Sequence, residues 1–380
     1  MTKSIVKFCT STFVLTVALL LCLDLWVGAY QPLKKLSDLG LGGLNYYYVV
    51  AKLPEFLSSR CNPDVIMTGS SHWLYPSVRC DDALAGVRTR YDASYVCKRI
   101  DGCLDSKYFE SRLPKNAEVA NLGTAGALMS DQYFVLKKLV ASCKKPRVLL
   151  CDIAPRAFLD RNQPDPTKTP VYCVLSDFTG LGDILSKGRD FASTCDYAFG
   201  AVSNGFKARR DFRLFATNLC SAVLGHPADL IAAKGAAPKY DLQTILHPAS
   251  AKVSYTPPSS MTADLAAYRK EYLPINTKMR DTQLKFLRKY LKLAHDNNVP
   301  VICVEMPLAS ANLALLPADE LASLKKSVAQ AATEYGATLY TPKVQFDDSD
   351  FEDSAHLNEK GGRKFFDDLA VETTSVLTPQ

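Results

Sequence analysis

The sequence predicts an α/β fold, a three-layer sandwich with a mostly parallel sheet, and three observations predict it. Short apolar runs of strand length, Val65-Ile66-Met67, Arg147 to Ile153 and Val301-Ile302-Cys303-Val304, are apolar at nearly every position, as central strands buried on both faces are. Apolar residues between and after them recur at helical spacing. The runs break at turn-forming residues, such as Thr68-Gly69-Ser70-Ser71 and Ala154-Pro155-Arg156. Strands alternating with amphipathic helices imply βαβ units and therefore parallel pairing.

Taken in order, the chain opens on a nearly continuous apolar stretch from Phe8 to Leu23, prolonged by Leu25-Trp26-Val27 past a lone Asp24. That length approaches the roughly 20 residues that cross a bilayer. Lys3 and Lys7 precede it, so the N-terminus stays on the cytoplasmic side and everything after about Tyr30 is exported. A retained anchor is the favoured expectation. A cleaved signal peptide is the alternative, because Val27-Gly28-Ala29 offers the small residues a signal peptidase accepts. Residues 31–60 read as a juxtamembrane linker and helix with a tyrosine run, Tyr46-Tyr47-Tyr48. Residues 61–160 and 278–380 carry the α/β pattern.

Within that core, Val65 to Met67 is the first strand and Glu118 to Leu122 the second, ending in Gly123-Thr124-Ala125-Gly126. Ser130 or Asp131 then caps a helix through Tyr133, Leu136, Leu139 and Val140. Arg147 to Ile153 is the third strand. A helix through Leu284, Leu287, Leu291 and Ala294 leads into the strand at Val301, and another through Leu321, Leu324, Val328 and Ala331 leads into Thr338-Leu339-Tyr340. Residues 161–277 lose periodicity and gather proline, glycine and polar residues, which reads as an insertion over the active-site face.

Composition bounds the function. The chain has 380 residues, 47% of them hydrophobic, and a formal net charge of +6. That mild basicity suits work beside an anionic membrane or cell-wall polymer, and no basic cluster interleaved with aromatics points to nucleic acid. Two of the 12 cysteines, Cys9 and Cys22, fall in the leader. Cys151 and Cys303 sit inside strands and read as buried thiols. The remaining eight suit disulfides in an oxidising compartment, with Cys97 and Cys103 a local pair. No Cys-x-x-Cys is present and the five histidines are dispersed, so neither a metal nor another cofactor is expected.

The chemistry is expected from the two ends of the core. A strand that stops at a glycine and two serines can present a hydroxyl at the edge of a sheet, and Ser71 holds the third place of the Gly-x-Ser pattern. A serine hydroxyl becomes a nucleophile when a base takes its proton and a third group fixes that base. Asp353-Ser354-Ala355-His356 supplies a carboxylate three residues before an imidazole. Ser71, His356 and Asp353 are the expected nucleophile, base and orienter. The acidic run Asp347-Asp348-Ser349-Asp350 lacks the spacing of a calcium loop and reads as solvated.

Together, Gly69-Ser70-Ser71, Asn121-Leu122-Gly123-Thr124-Ala125-Gly126 and Asp353-Ser354-Ala355-His356-Leu357-Asn358 resemble the SGNH/GDSL hydrolase superfamily. The resemblance implies Ser71 as nucleophile, the amides of Ser71 and Gly126 as the oxyanion hole, and Asp353 and His356 as acid and base. It departs at the third block, where Ala154-Pro155-Arg156 stands in place of an asparagine donor. Arg156 could then face the developing oxyanion or grip an anionic substrate group, the plain alternative being a surface salt bridge. Asn121 and His72 are further candidates for substrate contact. The Gly-Ser-Ser form and the apolar leader also resemble membrane-anchored SGNH-like proteins that accompany acyl transfer to bacterial surface polymers, such as the D-alanyl-lipoteichoic acid transfer protein and the alginate O-acetyltransferase accessory proteins. The expected partners are therefore an acyl donor, a cell-surface glycan or polymer acceptor and a multi-pass membrane acyltransferase. The alternatives are an esterase using the same triad and a noncatalytic SGNH-like scaffold that binds a glycan.

Overall fold

The computed structural model of the chain describes residues 12–30, 45–59, 62–86, 100, 103–162, 169–175, 195, 198–200, 202–207 and 261–378. The chain divides into two units, one of residues 1–47 and 176–252, the other of residues 48–175 and 253–380. The first unit contains helix α1 (Thr12–Tyr30), with Leu15, Leu19, Leu20, Leu21 and Leu25 exposed on it. Among the described residues no helix is long and apolar enough to cross a membrane. Asp24, the one charge in α1, accepts hydrogen bonds from the Ser203 hydroxyl (2.5 Å) and from the amides of Asn204 (3.1 Å) and Gly205 (2.8 Å). Gly28 lies so close to Asn204 that a Cβ there would sit 2.4 Å from its amide nitrogen. The densest part of the expected insertion, residues 232–260, lies outside the described residues, as do Cys61, Cys97 and Cys220.

The second unit holds the sheet and the expected site residues. Helix α2 (Asn45–Ser58) leads to β1 (Val65–Thr68), α3 (Ser71–Leu84), β2 (Val119–Asn121), α4 (Met129–Ala141) and β3 (Val148–Ile153). Then come α5 (Met261–Tyr272), α6 (Thr277–Asp296), β4 (Val301–Glu305), α7 (Ala318–Glu334), β5 (Thr338–Tyr340) and α8 (Glu359–Leu377). Helix α5 falls in the stretch that the sequence assigns to the insertion, yet it belongs to this unit. Ser130 and Asp131 lie in the first turn of α4 rather than capping it, and Asp131 Oδ2 reaches back to accept from the Leu128 amide at 2.8 Å.

All five strands pair in parallel, in the order β2-β1-β3-β4-β5. The strand order reverses on either side of β1, so the switch point lies between β1 and β3, where ligands of doubly wound sheets bind beyond the carboxyl ends. Alternation along the strands builds two cores. Val65, Met67, Val148, Leu150, Ile302 and Val304 pack with Trp73 of α3 and with Phe365, Phe366 and Leu369 of α8. Ile66, Leu149 and Cys303 are as deeply buried. From the face they belong to, the Thr68 hydroxyl meets the Tyr290 hydroxyl of α6 at 2.9 Å and Gln132 of α4 at 3.2 Å. Each fully buried aromatic contributes about 1.5–3 kcal/mol relative to exposure. Gly362 lets α8 approach α3, since a Cβ there would meet Cys80 Sγ at 2.8 Å.

Cys151 and Cys303 are buried and directly opposed on β3 and β4. Contrary to the disulfide expectation, no disulfide forms among the described residues: Cys80 and Cys143 are thiols, and the Cys103 thiol donates to the Asp105 carbonyl at 3.0 Å. The acidic run at 347–350 is folded against lysines rather than solvated throughout, with Asp350 buried and paired to Lys364 at 2.8 Å.

Candidate active site

Ser71 stands at the first turn of α3, immediately past the carboxyl end of β1, because Gly69 turns the chain there at φ 154. No other residue fits: a Cβ on Gly69 would meet the Asp152 Cβ at 2.2 Å and the Trp73 indole at 2.8 Å. Ser70 caps the helix, and the indole nitrogen of Trp73 donates back to the Thr68 carbonyl at 3.0 Å, which fixes the corner. The Ser71 amide therefore sits among the unpaired donors at the start of a 14-residue helix, where a negative charge is stabilised.

His356 arrives from the other end of the chain. Its Nε2 is 2.8 Å from Ser71 Oγ and its Nδ1 is 2.7 Å from Asp353 Oδ2. Asp353 is the acidic partner, so Nδ1 carries the proton and Nε2 is left to accept from the serine hydroxyl. The carboxylate is itself held, because Asp353 Oδ1 accepts from the amides of Ala355 (2.9 Å) and His356 (2.8 Å). Burial raises the Asp353 pKa, but the His356 charge and these hydrogen bonds outweigh it and bring the carboxyl down to about 2. For His356, burial opposes the imidazolium, yet the Asp353 charge and hydrogen bond prevail and the pKa rises above its ordinary 6.5.

The sign of the pH dependence follows. His356 must be neutral to take the serine proton, so the acid limb of kcat/KM is expected above 6.5. Changing Asp353 to Asn removes the stabilising charge and should shift that limb to lower pH while slowing the reaction. A pH profile of both proteins checks this, and a limb that stays fixed would separate His356 from the rate.

Several groups that the sequence did not single out fix this geometry. The Tyr75 ring, one turn along α3 from Ser71, stacks on His356 with centroids 4.0 Å apart and 19° between planes. Arg79, one turn further, binds Glu352 through Nε at 2.8 Å. Asp264 of α5 accepts from the Ser354 amide (3.0 Å) and hydroxyl. Asn312 donates to that same hydroxyl at 2.9 Å. Displacing a catalytic group by about 1 Å costs up to roughly 10² in rate, so Tyr75→Ala is expected to lower kcat by roughly 10–100-fold with little change in KM. Steady-state kinetics on an acetyl ester would show it, and unchanged kcat would count against a positioning role.

The other expected site residues fare differently. Gly126 lies in a turn closed by Ala127 N to the Thr124 carbonyl (2.9 Å) at φ 73. That turn is tied to the nucleophile corner by Thr124 N to the Gly69 carbonyl at 2.8 Å. Asn121 is fully buried and structural. Its Nδ2 donates to the Trp73 carbonyl (3.2 Å) and Ser77 Oγ (3.1 Å), and its Oδ1 accepts from Gly123 N (2.9 Å). Arg156 is matched by two carboxylates, Glu271 at 2.9 Å and Asp160 at 3.0 Å, so its charge is neutralised within the fold and the salt-bridge alternative describes it. His72 is buried and bonds through Nδ1 to Ser70 Oγ at 2.7 Å.

Asp152 was missed. It is the polar position of β3, fully buried, and its Oδ2 accepts from the Ser70 amide (2.9 Å) and hydroxyl (2.6 Å). The signal was a carboxylate interrupting an otherwise apolar strand at its carboxyl end. An apolar cleft opens along the same sheet edge, lined by Ile153, Pro155, Met306, Leu308, Val328 and Phe346. Among the described residues no three His, Cys, Asp or Glu side chains gather as a metal site would require. No family model matches the chain, and no curated protein is significantly similar to it.

Proposed function

We propose that this chain is an SGNH-type serine acyltransferase, held at a membrane by its apolar leader and working on the extracytoplasmic side, where it acylates a hydroxyl of a cell-surface glycan or polymer. The observation that carries the reading is the continuous relay from Ser71 Oγ through His356 to Asp353, with separations of 2.8 and 2.7 Å. These are hydrogen-bond distances for a nucleophile, its base and the group that orients the base.

In the first step Ser71 gives its proton to His356 and attacks an ester or thioester carbonyl. The oxyanion is held by the Ser71 amide and, on the family resemblance, by Gly126. His356 returns the proton to the leaving group, which departs and leaves an acyl-enzyme. In the second step an acceptor hydroxyl gives its proton to His356 and attacks the acyl carbon, and Ser71 leaves with that proton. If water replaces the acceptor, the same residues make an esterase. The leucines exposed on several sides of α1 favour membrane attachment, and a fixed position beside a membrane partner that supplies acyl groups favours transfer over hydrolysis.

The test is to incubate the detergent-solubilised full chain with an acetyl ester and to look for an acetyl group on Ser71 by mass spectrometry. Product analysis with and without an oligosaccharide then separates transfer from hydrolysis. A chain that never labels on Ser71 while staying folded would leave only the noncatalytic scaffold.

A further inference from the structure

Beside the triad stands a second relay that the acyl-transfer steps above do not use. Asp152, fully buried on β3, accepts at Oδ2 from the amide and hydroxyl of Ser70. His72 Nδ1 lies 2.7 Å from the Ser70 oxygen and 3.3 Å from Asp152 Oδ2. The hydrogen-bond directions fix the tautomer. Ser70 has one proton, and at 2.6 Å it lies between the serine oxygen and the carboxylate, so the serine oxygen turns lone pairs toward His72. Nδ1 therefore carries the hydrogen, and the lone pair of the neutral ring is on Nε2.

That Nε2 is buried and has no hydrogen-bond partner among the described residues. His72 follows the nucleophile directly in sequence and its ring centroid is 5.7 Å from that of His356. A buried acceptor left unsatisfied disfavours the empty site, and it is satisfied by a donor that arrives with a ligand. The reacting carbonyl of the acyl donor cannot serve, since an ester or thioester carbonyl only accepts. The attacking hydroxyl cannot serve either, because its single proton goes to His356.

We propose that His72 Nε2 accepts a hydrogen bond from a second hydroxyl of the acyl acceptor, one neighbouring the hydroxyl that attacks, so that the site selects polyols and sugars over water and simple alcohols. This rests on the acyl-transfer reading and assigns its acceptor class. His72 is a specificity-determining residue, and Ser70 and Asp152 are the groups that position it.

The experiment pairs two acceptors, methyl α-D-glucopyranoside and 1-propanol, with an acetyl ester as donor and the full chain in detergent. The wild-type protein is expected to prefer the sugar by roughly tenfold or more, the effect of one buried hydrogen bond. His72→Asn keeps an N–H where Nδ1 stood and deletes Nε2. It should lower transfer to the sugar more than transfer to 1-propanol, and so lose the preference for the sugar. A preference that survives in His72→Asn, or transfer to both acceptors falling together, would overturn the inference. A second measurement does not depend on turnover. In the Ser71→Ala protein, the ring nitrogens of His72 observed by NMR should show the Nδ1–H tautomer, with the Nε2 resonance moving when methyl glucoside is added. A protonated Nε2, or one indifferent to the sugar, overturns the inference whatever the kinetics. If Ser71 never labels but Nε2 responds to the sugar, the triad reading falls and the hydroxyl-binding role of His72 stands.

Discussion

Ser71→Ala is expected to reduce acyl transfer by roughly 10⁴–10⁶-fold, the range for removing a nucleophile whose base and orienter act with it as a unit. The hydroxyl sits 2.8 Å from its base, and among the described residues it is the hydroxyl bonded to His356 Nε2. Ser70, the only adjacent candidate, has its proton committed to the buried carboxylate of Asp152. Asp353→Asn should cost about 10⁴, since the asparagine would leave His356 in the wrong tautomer. Because the members act together, the Ser71→Ala/His356→Ala double variant should be no slower than Ser71→Ala alone. Initial rates with an acetyl ester decide it: losses that multiply in the double variant would mean that serine and histidine act separately. Thermal unfolding should be nearly unchanged for Ser71→Ala, which separates lost chemistry from lost structure.

The second large effect is on stability. Gly69→Ala is expected to destabilise the fold by about 2–5 kcal/mol, combining a conformation reserved for glycine with an overpacked contact. The backbone at φ 154 is strained for any side chain, and the added methyl would land 2.2 Å from the Asp152 Cβ. Relief requires moving β3 away from β1 or lifting Ser70 off Asp152, and either displaces the nucleophile. Gly86 provides the control. It also has a positive φ, of 66, but no atom lies within 4 Å of the position a Cβ would take, so alanine there should cost only about 1 kcal/mol. Denaturant midpoints of the two variants test the difference, and equal midpoints would remove steric contact as the cause.

Much of the scaffold was legible because it is periodic. The strands at 65, 148, 301 and 338 are short apolar runs, and the helices between them carry their apolar residues at helical spacing, so local pattern and tertiary fate agree. Ser71, His356 and Asp353 were legible for a different reason, since each ends an element or follows a turn, where a side chain must leave the core. Asp152 was hidden because an apolar strand with one polar position reads as a strand, and only the neighbouring β1 corner explains its carboxylate. Tyr75 and Arg79 were hidden because their partners lie in the loop carrying His356 and Asp353, far along the chain. Asn121 misled for the opposite reason: its motif position suggested exposure to substrate, whereas its donors are bound by α3. Arg156 was ambiguous by nature, since only the placement of Glu271 and Asp160 decides between an anion site and an internal ion pair.

The separation of 285 residues between nucleophile and base has a consequence for biogenesis. During synthesis the serine corner emerges early, while its imidazole follows only with the tail, just ahead of α8, which packs on α3. A chain cut short before His356 therefore holds Ser71 without its imidazole partner. Closure of the Ser71–His356 pair thus marks a domain whose first strand and tail have both been made and brought together.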